Sequence, residues 1–384
     1  MGDACSSKMS STEKTVLIKP SLSEAQAVEL VGQLYDLKVS SVQPLPSYDD
    51  QNFHILVSET KGTGDHSNGY VLKVLNTVDS QDADLVEAQT RIMTFLNKKG
   101  FPSPTTIPTV DGKIMSLETI DCGQEYKTHM VRLLNYLPGI PLAKIPPGPQ
   151  ILYKAGRTLA QMDKVLEEFQ HPTLKSLQRD DYLWSLSNTH LLVKYLYAVE
   201  EGSNRRVVEQ IIQQFKEKIL PNLSRFRKSI NHGDFSHSNI LVKPVHSSAD
   251  HSNPTLPHQE LEISGILDFS DMSYGYCVYD VAISIMYMML ENNNPISVGG
   301  HVLAGFESVT PLLPEERDAV FLLVLCRFSQ SLVMARYNIL LYPENEEYLL
   351  TTGRTGWKRL HQLWGLGKEA VEKVWFETAN SYCT

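Results

Sequence analysis

The chain lacks any surplus of basic charge. Among its 384 residues, 35 lysines and arginines face 44 aspartates and glutamates, for a net charge of −9. Proteins that live on nucleic-acid phosphates carry a basic excess, so no nucleic-acid partner is expected. Cysteine is scarce and unpatterned: Cys5, Cys122, Cys277, Cys326 and Cys383 are odd in number and widely spaced, with no C-x-x-C. That suits reduced thiols and a cytoplasmic setting rather than a disulfide framework. No run of about 18 apolar residues occurs, so neither a transmembrane helix nor stable membrane association is expected. The first residues, MGDACSSKMSSTEKT, are polar and lack a secretory apolar stretch. There is no internal repeat.

What is present is ordinary globular composition, 42% hydrophobic and 21% charged. A chain of this length buries about 75% of its unfolded surface and needs no disulfide or structural metal. Two or three domains, or one bilobed unit, are expected. Residues 1–20 read as a disordered tail. Within it Gly2 and Ser6 fit the M-G-x-x-x-[ST] acylation pattern, but Asp3 and the missing polybasic run favour a plain polar tail.

A first helix is expected from a Ser21/Glu24 capping box to about Leu37, with Pro44 and Pro46 breaking the pattern after it. Strand-like segments follow at 51–58, 70–75, 105–110, 113–117 and 127–137. A turn at 62–65 separates the first two, and Asp111-Gly112 marks a hairpin between the third and fourth. One helix, 82–99, interrupts them and stops at Gly100. After the breaker-rich stretch 138–149, helices are expected at 150–168, 180–198, 204–219, 276–291 and 315–338, with short strands at 240–243 and 261–267. The pattern is α+β: an antiparallel N-terminal lobe over 21–137 and a mostly helical C-terminal lobe over 138–384. The polar loop holding His246, His251 and His258 has no metal-ligand spacing and reads as a surface insertion.

Three signals carry chemistry. The first is His232-Gly233-Asp234-Phe235-Ser236-His237-Ser238-Asn239, followed by an apolar strand. An Asp in a loop with an Asn five positions on lets the Asp face an acceptor hydroxyl while the Asn amide oxygen reaches a metal, the division of labour in the H-R-D-x-x-x-x-N loop of protein kinases. The second is Ile266-Leu267-Asp268-Phe269. A carboxylate there can reach the same Mg²⁺, which takes one or two protein oxygens beside phosphate. The third is Lys73 in Val71-Leu72-Lys73-Val74, with Glu87 on the next helix as its partner at nucleotide phosphates; Glu87 also suits a plain i,i+4 pair with Arg91.

In this order the signals resemble the aminoglycoside phosphotransferase and choline kinase superfamily, supported further by Tyr279-Asp280-Val281-Ala282 and by Val131–Gly139, a typical lobe connection. The resemblance spans about Ser47 to Ala335. It implies a bilobed protein-kinase-like fold. Asp234 matches the catalytic base, Asn239 and Asp268 the Mg²⁺ ligands, Lys73 and Glu87 the phosphate-binding pair, and His232 and Asp280 the supports of the catalytic loop. With Ser47–Phe53 included, it implies transfer of a γ-phosphoryl group from GTP, or ATP, to the 5-hydroxyl of 5-hydroxy-L-lysine in lysine breakdown.

Two departures stand out. Ser47–Phe53 has no glycine where a phosphate loop is expected, and Asp49 and Asp50 would repel phosphates unless they point away or bind metal. No room exists after Asp268 for a peptide-binding activation loop, which favours a small-molecule acceptor. For a dicationic amino acid, the acidic candidates are Asp271, Asp180, Asp181, Glu344, Glu346 and Glu347, with Asp271 preferred because it follows the metal-ligand strand. Arg327 and Arg336 are candidate carboxylate partners, and Trp184 and Trp357 are candidate cation–π walls or core residues. Two alternatives stay open: another small-molecule kinase of this fold, acting on choline, homoserine or an aminoglycoside, and a catalytically dead nucleotide-binding module.

Overall fold

The computed structural model describes residues 17–58, 68–122, 125–245, 260–343 and 353–382. The 62–65 turn, the Gly2 pattern, the loop with His246, His251 and His258, Glu344, Glu346, Glu347, Cys5 and Cys383 lie outside the described residues. Two compact units emerge. One comprises the described residues before 59 with Gly69–Ala83 and Ile107–Leu133; the other comprises Asp84–Thr106 and the described residues from Leu134 onward. The helix expected at 82–99 therefore groups with the second unit.

The first unit starts with α1 (Glu24–Tyr35). Its capping box is Ser23/Gln26 instead of Ser21/Glu24: Gln26 N donates to Ser23 Oγ at 3.3 Å and Ser23 N to Gln26 Oε1 at 2.8 Å. Strands β1 (Val39–Leu45), β2 (Gln51–Val57), β3 (Tyr70–Val74), β4 (Thr106–Ile107), β5 (Ser116–Asp121) and β6 (Tyr126–Asn135) form a sheet ordered β1-β2-β3-β6-β4, with β5 on β6. Pro44 lies within β1 rather than ending it. β1 is an edge strand, where a missing N–H costs no ladder bond. The Asp111-Gly112 turn closes on Thr109 and does not join two ladder strands; β5 instead pairs antiparallel with β6, from Ser116 opposite Val131 to Asp121 opposite Tyr126. Ala27, Val31 and Tyr35 of α1 pack with Phe53, Ile55, Leu72, Val74 and Val131. That alternation puts Lys73 on the opposite face of β3 from Leu72 and Val74.

The second unit contains α2 (Ala83–Lys98), α3 (Pro149–Leu166), α4 (Ser203–Gln214), α5 (Cys277–Met289), α6 (Pro295–Glu307), α7 (Pro314–Leu341), α8 (Gly353–Leu366) and α9 (Lys368–Asn380). Its strands are β7 (Ile140–Pro141), β8 (Lys228–Asn231), β9 (Ile240–Pro244), β10 (Leu261–Ile266) and β11 (Ser273–Tyr276). The helix expected over 180–198 is replaced by 3₁₀ turns at Leu186–Lys194 and Leu196–Ala198. At the start of this segment the carbonyls are shared with α7: Gln330 Nε2 donates to those of Leu183 and Ser185 at 2.8 and 2.9 Å, and Arg327 Nη1 to that of Trp184 at 3.1 Å, while Ser185 O also accepts Asn188 N at 3.0 Å in a 3₁₀-type bond.

Helices α3, α5, α6 and α7 form the helical core. An 18-residue window of α7 has a mean hydropathy of 1.6, long and apolar enough by composition to cross a bilayer, and 94% of it is buried inside the protein. Where α3 crosses α6, backbones touch. A Cβ on Gly156 would lie 2.0 Å from the Val302 carbonyl oxygen, and one on Gly305 1.9 Å from that of Tyr153. Gly305→Ala must therefore separate the helices, and overpacking of this kind costs about 1–3 kcal/mol. A urea midpoint lowered correspondingly is expected; an unchanged midpoint would contradict the close crossing.

Candidate active site

Two strand pairs bring two loops together. β9 and β10 are antiparallel with Ile240 opposite Ile266, and β8 and β11 with Asn231 opposite Ser273. The loops 232–239 and 267–272 are thus fixed at both ends. Leu267 N donates to Asn239 O at 2.7 Å, which sets Asn239 beside the residue preceding Asp268. At the other end, Gly233 (φ +81°) packs so closely that a Cβ would lie 2.3 Å from the Asp271 carbonyl oxygen.

His232 and Asp280 hold this arrangement from behind, both at 0% exposure. Asp280, in the first turn of α5, accepts His232 N at 2.7 Å and Gly233 N at 2.9 Å. Burial pushes its carboxyl up to about 6, against those two donors. His232 Nδ1 accepts Asp234 N at 3.3 Å, which assigns the proton to Nε2 for donation to Leu267 O at 3.1 Å. Burial lowers the imidazole to about 4, so it stays neutral, and its ring packs on Phe235 and Phe269.

Asp234 is gripped on both oxygens. Oδ1 faces Arg327 Nη2 at 3.2 Å, and Oδ2 accepts Asn239 Nδ2 at 2.6 Å. Its side chain keeps 24% exposure while that of Arg327 keeps 1%. Burial raises the Asp234 carboxyl to about 7; the guanidinium opposes that rise, and the charges of Asp271 and Asp268 add to it. Asn239 Nδ2 also donates to Asp234 O at 3.0 Å, so its Oδ1 remains as the acceptor. Asp268 lies two residues beyond β10, in the left-handed region at φ 55°, and its Oδ1 accepts Ser270 Oγ at 2.9 Å. A non-glycine residue held there is uncommon and marks a constrained position. An amide oxygen and a carboxylate are hard donors of the kind Mg²⁺ takes. No group of three His, Cys, Asp or Glu residues able to hold a metal occurs among the described residues.

Asp271 accepts a hydrogen bond from Tyr182 Oη, and burial raises its carboxyl, with Arg327 acting against the rise. The Arg179 guanidinium lies 3.4 Å over the Tyr182 ring and donates through Nη1 to Ser270 O and Met272 O. Asp180, Asp181 and Arg336 are exposed, and Trp357 is half-buried on α8. Trp184 faces a cation of the protein itself: Arg327 lies 5.1 Å over its ring and 5.3 Å over that of Tyr287. Buried and committed in this way, Arg327 is not placed to receive a substrate carboxylate.

In the first unit, Lys73 Nζ lies 2.7 Å from Asp50 Oδ2, both nearly fully buried. Asp50 also accepts Asn76 N at 2.9 Å. The aspartate expected to repel phosphates is thus turned onto the lysine. Glu87 pairs with Arg91, one turn along α2, at 2.6 Å.

Sequence reasoning missed Asp50 as the lysine's neighbour, Tyr182, and Asp163 on α3. It also missed the link from Arg327 to Asp234, for which a signal existed: an arginine in the middle of an apolar helix needs a buried partner.

A model of the phosphotransferase enzyme family matches residues 41–317. The chain belongs to that family. It is 54% identical to a hydroxylysine kinase of Bos taurus over 370 residues, covering 96% of each chain, and 46% identical to one of Danio rerio over 95% of this chain and 98% of that protein. A homoserine kinase of Rhizobium meliloti is 24% identical over 71% of this chain and 72% of its own. Among solved structures, an amicoumacin kinase superposes with a TM-score of 0.62 at 16% identity, over 89% of this chain and 97% of its own. A microcompartment-associated aminopropanol kinase gives 0.60 at 14% identity, over 89% and 98%. This phosphotransferase is thus a small-molecule kinase acting on a hydroxyl group, with the α+β kinase-like fold.

Behind the loops, Asp163 is buried and neither carboxyl oxygen has a hydrogen-bond partner among the described residues. Burial, aided by the charge of Asp280, raises it well above the carboxylate range. The folded form therefore holds a proton that the unfolded chain releases near pH 4, and stability falls as pH rises through the folded value. Asp163→Asn escapes that loss. Its urea midpoint relative to wild type is expected to be more favourable at pH 8 than at pH 5, and a pH-independent difference would refute the assignment.

Proposed function

We propose that this kinase transfers the γ-phosphoryl group of GTP to the 5-hydroxyl of 5-hydroxy-L-lysine, in cytoplasmic lysine breakdown. Support for the acceptor comes from the likeness to hydroxylysine kinases over nearly the whole chain. The single observation that carries the chemistry is the Asp234 carboxylate, fixed on both oxygens and still 24% exposed. A carboxylate so held can accept a hydrogen bond from an incoming hydroxyl and take its proton late in the transfer. Asn239 Oδ1 and the Asp268 carboxylate are assigned to Mg²⁺, which when bound supplies charge to neutralise the phosphates. Lys73 is assigned to the nucleotide phosphates, with Asp50 as its neighbouring carboxylate within the first unit and Glu87 kept as the partner expected from the helix that follows.

Hydroxylysine carries an ammonium on the carbon next to its reacting hydroxyl. Any residue that recognises this ammonium must therefore lie close to Asp234. Asp271, whose backbone packs on Gly233, is assigned that role, with Tyr182 fixing its rotamer. Catalysis is mainly positioning and electrostatics.

The decisive measurement is a matrix of GTP and ATP against hydroxylysine, homoserine and choline, scored for phosphorylated product. Highest kcat/KM is expected for GTP with hydroxylysine; a preference for choline or homoserine would overturn the acceptor, and a preference for ATP the donor. Asp234→Asn should lower kcat by about 10²-fold or more while nucleotide affinity holds. Asp271→Asn should raise the KM for hydroxylysine more than it lowers kcat.

A further inference from the structure

Arg327 projects from the middle of α7, within an almost continuously buried stretch from Ala319 to Ala335. A charge in such a place is costly unless every direction is satisfied, and replacing a buried ion pair with apolar groups often does not reduce stability. Fold stability alone gives little reason to keep it. Its environment is built to fix direction. The guanidinium lies 5.1 Å over the Trp184 ring and 5.3 Å over that of Tyr287, Nη1 donates to Trp184 O at 3.1 Å, and Nη2 donates to Asp234 Oδ1 at 3.2 Å, while Nε has no hydrogen-bond partner among the described residues. Three residues on, one turn along the same helix face, Gln330 grips the carbonyls on either side of Trp184. The arginine is thus locked at its carbonyl end by a segment tied to the same helix, and its other nitrogen points at the aspartate.

Asp234 itself sits on a loop. Its Oδ2 is held from within that loop by Asn239, a residue also assigned to the metal. Arg327 supplies the restraint that comes from outside the loop, from a rigid helix. With 1% exposure it cannot touch an acceptor or a nucleotide.

We propose that Arg327 is a positioning residue for phosphoryl transfer: through its Nη2 contact it aims the Asp234 carboxylate at the acceptor hydroxyl, and it takes no part in binding either substrate. This rests on the reading of Asp234 as the group that receives the acceptor proton. A lysine cannot replace it, because one ammonium does not span Asp234 Oδ1 and Trp184 O as the planar fork does.

The test compares Arg327→Met, Arg327→Lys, Asp234→Asn and the double variant Asp234→Asn/Arg327→Met, measuring kcat, both KM values, single-turnover product and nucleotide affinity. Loss of aim at a reacting group costs about 10²-fold. Arg327→Met is expected to lose that much in kcat with both KM values within about threefold of wild type, and Arg327→Lys to lose at least about tenfold. The double variant is expected within about threefold of Asp234→Asn alone, since Arg327 acts through that carboxylate. Wild-type kcat in either single Arg327 variant overturns the proposal. So does a rise confined to the acceptor KM, or a double variant that falls by the product of the two single losses. If Arg327→Met does not fold, Arg327→Lys decides alone. Wild-type turnover by Asp234→Asn would instead overturn the reading of Asp234, which separates that failure from failure of the role given to Arg327.

Discussion

The bond from Leu267 N to Asn239 O, 2.7 Å long, closes the β9–β10 pairing at the edge of the site. Everything else in the second unit's site depends on that closure. It sets Asp268 beside Asn239, and Asn239 in turn holds Asp234. The β8–β11 pair does the same from the far end, placing Asp271 against Gly233. His232 then joins the two loops through hydrogen bonds that require the neutral ring, and burial keeps the ring neutral. A set of polar residues is thus held in register by backbone pairing, and side-chain contacts refine it.

Much of this was legible in the sequence because the chemistry is written locally. Asp234 and Asn239 share one loop, and Ile266-Leu267-Asp268-Phe269 announces a strand end with a carboxylate. The alternation around Lys73 placed it opposite the apolar face, as found. Elements whose identity depends on a distant partner were not legible. β8 and β11 are four residues each and exist through each other. Residues 180–198 have helical character, but the carbonyls of Leu183, Trp184 and Ser185 near their start meet Arg327 and Gln330 on α7, more than 140 residues away. Asp50 looked like a hazard to phosphates until the register of β2 on β3 put it beside Lys73.

The electrostatics follow the same division between near and far. The charges of Asp271 and Asp268 add to the raised proton affinity of Asp234, that of Asp268 adds to the rise at Asp271, and Arg327 works against both rises. In Asp163 the protein tolerates a buried carboxyl with neither a donor nor a counter-ion among the described residues, so the space behind the loops suits a protonated acid better than an anion. A net charge of −9 thus includes formal charges that the folded protein does not carry in full at neutral pH.

The reach of α7 also has a kinetic meaning. The contact between Arg327 and Asp234 spans 93 residues, and the contact to Trp184 spans 143. Bonds within the two loops and their strand pairs close shorter segments, so loop-closure entropy favours their earlier formation. The loops can therefore take shape before the arginine arrives, with Asp234 on a scaffold that is locally ordered and not yet aimed. On the role proposed for Arg327, competence to transfer phosphate waits for the docking of a helix that begins at Pro314.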